Sequence, residues 1–84
     1  MLHAEHIRAG RAALKISQVE LADICKVSFN TIYKIEEKQG ILRNSKVETL
    51  EKIKKGFEKK GITFFEKDGD PIIRVSSFDK KKDD

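Results

Sequence analysis

The sequence predicts a mainly α-helical domain of four helices followed by a short C-terminal β-hairpin. Three observations carry that expectation. No proline precedes Pro71, and apolar residues up to residue 60 recur at helical spacings of three and four. Two Ser-x-x-Glu runs, at Ser17 with Glu20 and at Ser45 with Glu48, have the form of a capping box, in which hydroxyl and carboxylate satisfy free backbone donors at a helix start. From Gly61 onward β-branched and aromatic residues cluster around Gly69 and Pro71, which is strand and turn chemistry.

The first helix is expected from about residue 2 to 14, with Ile7, Arg11 and Leu14 on one face. Ser17 opens the second, which ends near Cys25 and turns Leu21, Ala22 and Cys25 inward. Ser28 is the next N-cap, and the third helix runs through Phe29 to about Lys38 before Gly40 stops it. Ser45 opens the fourth helix, whose apolar face is Val47, Leu50, Ile53 and Phe57. Its outer face pairs Glu48 with Lys52 and Glu51 with Lys55, and Gly61 ends it. Two strand candidates follow, Ile62-Thr63-Phe64-Phe65-Glu66 and Ile72-Ile73-Arg74-Val75, joined by the turn Lys67-Asp68-Gly69-Asp70. A lone hairpin is marginal in water, so this one either packs on the helices or pairs with another chain. Residues 79–84 read as a polar disordered tail, with Phe78 placed to reach back to the core.

With 84 residues, a second core would have too little chain to close over it. Residues 1–60 are therefore expected to form one domain and residues 61–78 an appended hairpin. The net charge is +4, and it is unevenly spread: residues 1–60 carry thirteen Lys and Arg against eight Asp and Glu, and residues 61–84 carry five against six. A basic helical part suggests a polyanionic partner. The longest run of aliphatic and aromatic residues, around Phe64 and Phe65, is far short of the roughly 20 needed to span a bilayer. Residues 1–5 begin neither a signal nor a transit peptide, and a cytoplasmic protein without membrane contact is expected. Cys25 is the single cysteine, which excludes an internal disulfide. His3 and His6 lack a third nearby ligand, so no metal is expected. There is no glycine-rich phosphate loop, no nucleophile beside a base and no carboxylate pair suited to a cleft, so neither enzyme activity nor a cofactor is expected.

The second and third helices are short, are separated by about three residues, and carry small or aliphatic residues at their inward positions, which describes a helix-turn-helix. Ala22 stands where a larger side chain would force the helices apart. The run Ile16-Ser17-Gln18-Val19-Glu20-Leu21-Ala22, followed by Val27-Ser28-Phe29-Asn30-Thr31-Ile32-Tyr33-Lys34-Ile35-Glu36, resembles the xenobiotic-response-element family of DNA-binding domains, which includes the phage repressors and Cro. The resemblance covers about residues 6 to 60 and implies a lambda-repressor-like fold. Two positions depart from it. Lys26 replaces a glycine usual in the turn between the two helices, where the backbone is left-handed, at a cost of about 1 kcal/mol. Lys15 similarly replaces a glycine common after the first helix. The resemblance further implies that Arg11 and Glu36 form a buried structural ion pair; the competing reading leaves both on the surface.

Because Ile32 and Ile35 point inward, Phe29, Asn30, Tyr33, Lys34 and Glu37 share the opposite face of the third helix. In a major groove Asn30 suits an adenine edge, Lys34 guanine acceptors and Phe29 a thymine methyl, while Tyr33 suits a base edge or a phosphate. Core packing is the alternative for Phe29, and a solvated charge for Lys34. Gln18 starts the second helix, where backbone donors favour an anion, and the resemblance implies a phosphate contact for it. Ser28 and Thr31 occupy the matching edge of the third helix, and Lys38, Arg43, Asn44 and Lys46 flank a loop expected along the sugar-phosphate backbone. The expected function is a sequence-specific transcription regulator, most simply a repressor, bound to double-stranded DNA as a homodimer. Ile62, Phe64, Phe65, Ile72, Ile73 and Val75 are the expected dimerisation residues. The alternative is a protein-interaction module, such as an antitoxin or adaptor, that keeps the fold and binds a protein partner.

Overall fold

Residues 1–76 are described by the computed structural model, in the order α1 (Ala4–Leu14), α2 (Gln18–Cys25), α3 (Phe29–Glu36), α4 (Val47–Lys59), β1 (Ile62–Lys67) and β2 (Asp70–Val75). The mainly helical class and the C-terminal hairpin follow the sequence expectation. Phe78 and the polar tail lie outside the described residues.

Ser17 caps α2 as its spacing requires: its hydroxyl accepts from the Glu20 amide at 3.0 Å, and the Glu20 carboxylate accepts from the Ser17 amide at 2.8 Å. Lys15 (φ 58°) and Lys26 (φ 61°) hold the left-handed caps of α1 and α2. Each lysine costs about 1 kcal/mol relative to glycine there.

Two helix boundaries differ from expectation. Helix α3 ends at Glu36, short of Lys38, because the Arg8 guanidinium reaches from α1 to the carbonyls of Glu36 and Lys38 and terminates it. The expected Ser45–Glu48 capping box is absent. Helix α4 starts one residue later, with Lys46 as its N-cap and no side-chain capping bond. Its start is set by the preceding segment, where Leu42 is buried and its amide donates to the Leu2 carbonyl at 2.9 Å. Val47, expected on the inner face, is 75% exposed because the first turn of α4 projects past the core. Neither Glu48–Lys52 nor Glu51–Lys55 closes to ion-pair distance among the described residues; both pairs stay in water, where such contacts are worth a few tenths of a kcal/mol.

One hydrophobic cluster runs through all four helices and β1, with Ile7, Leu21, Ile32, Ile53, Phe57 and Ile62 fully buried. Two helical glycines permit its closest approaches. A Cβ on Gly10 would lie 2.7 Å from the Phe57 ring, and one on Gly56 would lie 2.6 Å from Cys25 Sγ.

The hairpin turns on Asp68 (φ 54°) and Gly69 (φ 84°), the left-handed pair that a two-residue turn of matching twist needs. Its register sets Ile62 opposite Val75, Phe64 opposite Ile73 and Phe65 opposite Ile72. Alternation then divides the six expected dimerisation residues. Ile62 is fully buried, and Phe64 and Ile73 pack half-buried on the helical core. Ile62 is thus spent within the chain, which corrects the expectation that it meets a second copy, while Phe64 and Ile73 give only part of their surface to the core. Phe65 and Ile72, on the outer face, are 45% and 40% exposed, whereas Val75, opposite Ile62 on the inner face, is 59% exposed at the end of β2.

Two histidines tie the hairpin to α1. His6, 1% exposed, accepts from the His3 amide through Nδ1 at 2.9 Å, and its Nε2 lies 2.7 Å from the Phe65 carbonyl. That arrangement requires the neutral ring with its proton on Nε2. His3 Nε2 meets Glu66 Oε2 at 2.6 Å. Burial, opposed by the Phe65 carbonyl and aided by His3 and the N-terminus, holds His6 below the ordinary imidazole range. The His3 hydrogen bond holds Glu66 below the usual carboxylate range. A histidine with a depressed native pKa stays neutral while the unfolded chain takes up a proton. Stability attributable to His6 is therefore complete above pH 6.5 and falls as the pH drops below it. The limiting slope is about 1.4 kcal/mol per pH unit. Thermal melts at pH 7.5 and 5.5 are expected to show a lower midpoint in acid, with a smaller difference in His6→Asn. An unchanged difference in that variant would assign the acid sensitivity elsewhere.

Candidate nucleic-acid interface

Helix α3 is presented by the packing behind it. Ile32 and Ile35 are buried on one side, while Phe29 (46%) and Tyr33 (44%) are exposed on the other, together with Asn30, Lys34 and Glu37. Phe29 is thus on the outer face and not in the core. Its ring stacks on Tyr33, with centroids 6.0 Å apart and planes inclined by 26°. The Tyr33 hydroxyl, beside the Glu37 carboxylate, is held above the usual phenol range and stays a neutral donor. The face thereby presents a carboxamide, an ammonium, a phenol and a flat apolar pair, groups suited to base edges and thymine methyls.

A polar knot holds α3 against α1 and α2. Arg11 donates to Glu36 through Nε (2.8 Å) and Nη2 (3.0 Å), and Gln18 Nε2 donates to Glu36 Oε1 at 3.0 Å. Glu36 is 6% exposed, and hydrogen bonding to it raises the Arg11 pKa further above its ordinary range. A third Arg11 bond, from Nη1 to the Ile16 carbonyl at 3.1 Å, secures the turn before α2. The Gln18 amide therefore gives one hydrogen within the chain, and its second stays available to donate.

Ser28 accepts from the Thr31 amide at 3.1 Å and shares a 2.8 Å hydrogen bond with the Thr31 hydroxyl, so both are committed to the start of α3. Lys38, Arg43, Asn44 and Lys46 are all exposed on the connection from α3 to α4. Glu5 anchors that connection by accepting from the Gly40 amide at 3.0 Å, and Arg8 reaches the Lys38 carbonyl at 3.0 Å. Sequence reasoning missed Arg8. The available signal was a second arginine one helical turn before Arg11.

A family model described as helix-turn-helix matches residues 7–63, more than half of the chain, and spans α1 to the start of β1. The chain belongs to this family, in its xenobiotic-response-element type. No curated protein matches the chain. As a helix-turn-helix regulator it is a DNA-binding protein, and α2 and α3 are the two helices of its motif. No helix of this regulator is long and apolar enough to cross a membrane among the described residues.

Proposed function

We propose that the protein is a sequence-specific transcriptional repressor, acting in the cytoplasm at the nucleoid by occupying a promoter as a homodimer. The observation that carries this reading is the outward face of α3, where Phe29, Asn30, Tyr33 and Lys34 are exposed while the same helix is anchored from behind by buried Ile32, Ile35 and Glu36. The start of α3 enters the major groove, whose width admits a helix. Asn30 and Lys34 read base edges, and the Phe29–Tyr33 stack meets thymine methyls and the adjoining backbone. Gln18, through its second Nε2 hydrogen, and the Ser28–Thr31 pair, through the hydroxyl hydrogen that their mutual bond leaves over, meet phosphate at the helix starts, and Lys38, Arg43, Asn44 and Lys46 track the strand beside the groove.

Duplexes selected from a random pool provide the test. Asn30→Ala and Lys34→Ala are each expected to cost about 1 to 3 kcal/mol of discrimination for the selected sequence. Lys46→Ala weakens selected and unrelated duplexes alike and lowers the salt slope by about 1. Unaltered discrimination in both α3 variants would remove the base-reading assignment.

One reading head contacts only a few base pairs, so specificity calls for two, with half-sites about 34 Å apart. Phe65 and Ile72, paired across the strands and exposed on the outer face of the hairpin, support a second copy docking there. The variant Phe65→Glu with Ile72→Lys leaves the inner face intact and is expected to sediment as a monomer where the parent is a dimer. Equal masses for the two proteins would count against this interface.

A further inference from the structure

We propose that a groove between the C-terminal end of α2 and the middle of α4 docks an acidic protein segment carrying an apolar anchor side chain. The groove encloses about 400 Å³, room for one or two side chains. Its floor is Ile24, Cys25 and Gly56, and its rim is Lys26, Lys52, Lys55 and Lys59, with no carboxylate among the lining residues. Gly56 packs its bare Cα against Cys25, where a Cβ would come within 2.6 Å of Sγ. Burial pushes the Cys25 thiol up to about 11, so the floor remains uncharged.

The rim is unneutralised. All four lysines are exposed, and none has an ion-pair partner among the described residues, since the helical pairs to Glu48 and Glu51 do not form. Lys26 sits at the left-handed C-cap of α2, a conformation that favours glycine, with its amide donating to the Asp23 carbonyl at 3.3 Å. Lys52, Lys55 and Lys59 recur at intervals of three and four along one side of α4, spreading positive charge over about 10 Å. A small monoanion answers only one of these charges. A nucleic-acid backbone answers them all but has no apolar group to seat on Ile24. An acidic segment with a central aliphatic side chain satisfies both floor and rim. No groove residue belongs to the α3 reading face, so the surface is independent of the DNA-reading assignment and leaves room for a co-regulatory protein.

Isothermal titration of the full chain tests this with a blocked octapeptide whose Leu-Leu centre is flanked by glutamates. Saturable binding is expected, with a dissociation constant below about 1 mM. Lys52→Glu with Lys55→Glu should weaken it by about tenfold or more, whereas Lys54→Glu with Lys60→Glu, outside the groove, should retain it. A serine-centred peptide should also bind more weakly. Lys59→Glu alone, expected to cause a smaller loss, serves if the double variant does not fold by circular dichroism. The proposal is overturned by absence of saturable binding, by equal affinity for the serine-centred peptide, or by equal loss in both double variants. It is also overturned if the groove variant loses a random duplex as strongly as the peptide, which would assign the lysines to nucleic acid.

Discussion

Arg11→Met is expected to destabilise the protein by about 3 to 5 kcal/mol, because it leaves a buried carboxylate without its cation. Glu36 is 6% exposed and would retain only the Gln18 amide among its present side-chain donors. For a chain of this size each kcal/mol moves the melting temperature by about 4 to 8 °C, so the fall should exceed about 10 °C in a circular-dichroism melt. The opposite truncation, Glu36→Leu, is expected to cost less, since the Arg11 side chain is 28% exposed and can turn its charge toward water. Combining the two should recover much of the loss, as apolar groups replace a buried ion pair without stranding either charge. An Arg11→Met protein within about 1 kcal/mol of the parent would show that the pair holds nothing together. Duplex binding should fall with stability in the single variant and return in the double, because Glu36 ends the helix that carries the reading face.

Phe57→Ala should cost a comparable amount, about 3 to 5 kcal/mol, from lost burial and the cavity left behind. The ring is fully buried where α1, α4 and β1 meet, edge-on to Phe64 with centroids 5.0 Å apart. Its removal should loosen the hairpin as well as the helices, which exchange of the β1 and β2 amides in deuterated water would register. Gly10 supplies a coupled test. Alone, Gly10→Ala drives a Cβ to 2.7 Å from the ring, an overpacking expected to cost about 1 to 3 kcal/mol. In the Phe57→Ala background the clash is gone and the alanine favours the helix. Gly10→Ala should then be neutral or stabilising. Simple additivity in urea denaturation would mean that the two residues do not share this contact.

The helix-turn-helix was legible because its determinants are local. Ser17 and Glu20 cap α2 across three residues, Ser28 caps α3, and the spacing of Leu21, Ala22 and Cys25 identifies a buried face without knowledge of what covers it. The Asp68-Gly69 turn is equally local, since both residues tolerate a left-handed backbone. Such features need only the chain's own nearest neighbours, and the sequence by itself determined them, along with the outward set of α3.

Tertiary structure decided what depends on distant partners. The start of α4 moved from Ser45 because the anchored Leu42 segment outweighs a favourable capping pair. Helix α3 stops early because Arg8, 28 residues upstream, takes the Glu36 carbonyl. The hairpin's two faces read alike as apolar sequence, and only docking against α1 and α4 sends Phe64 and Ile73 inward while Phe65 and Ile72 remain outside. His3 and His6 acquired their role as the tie between α1 and β1 in the same way, because a hydrogen bond across some 60 residues leaves no periodicity in the sequence to read.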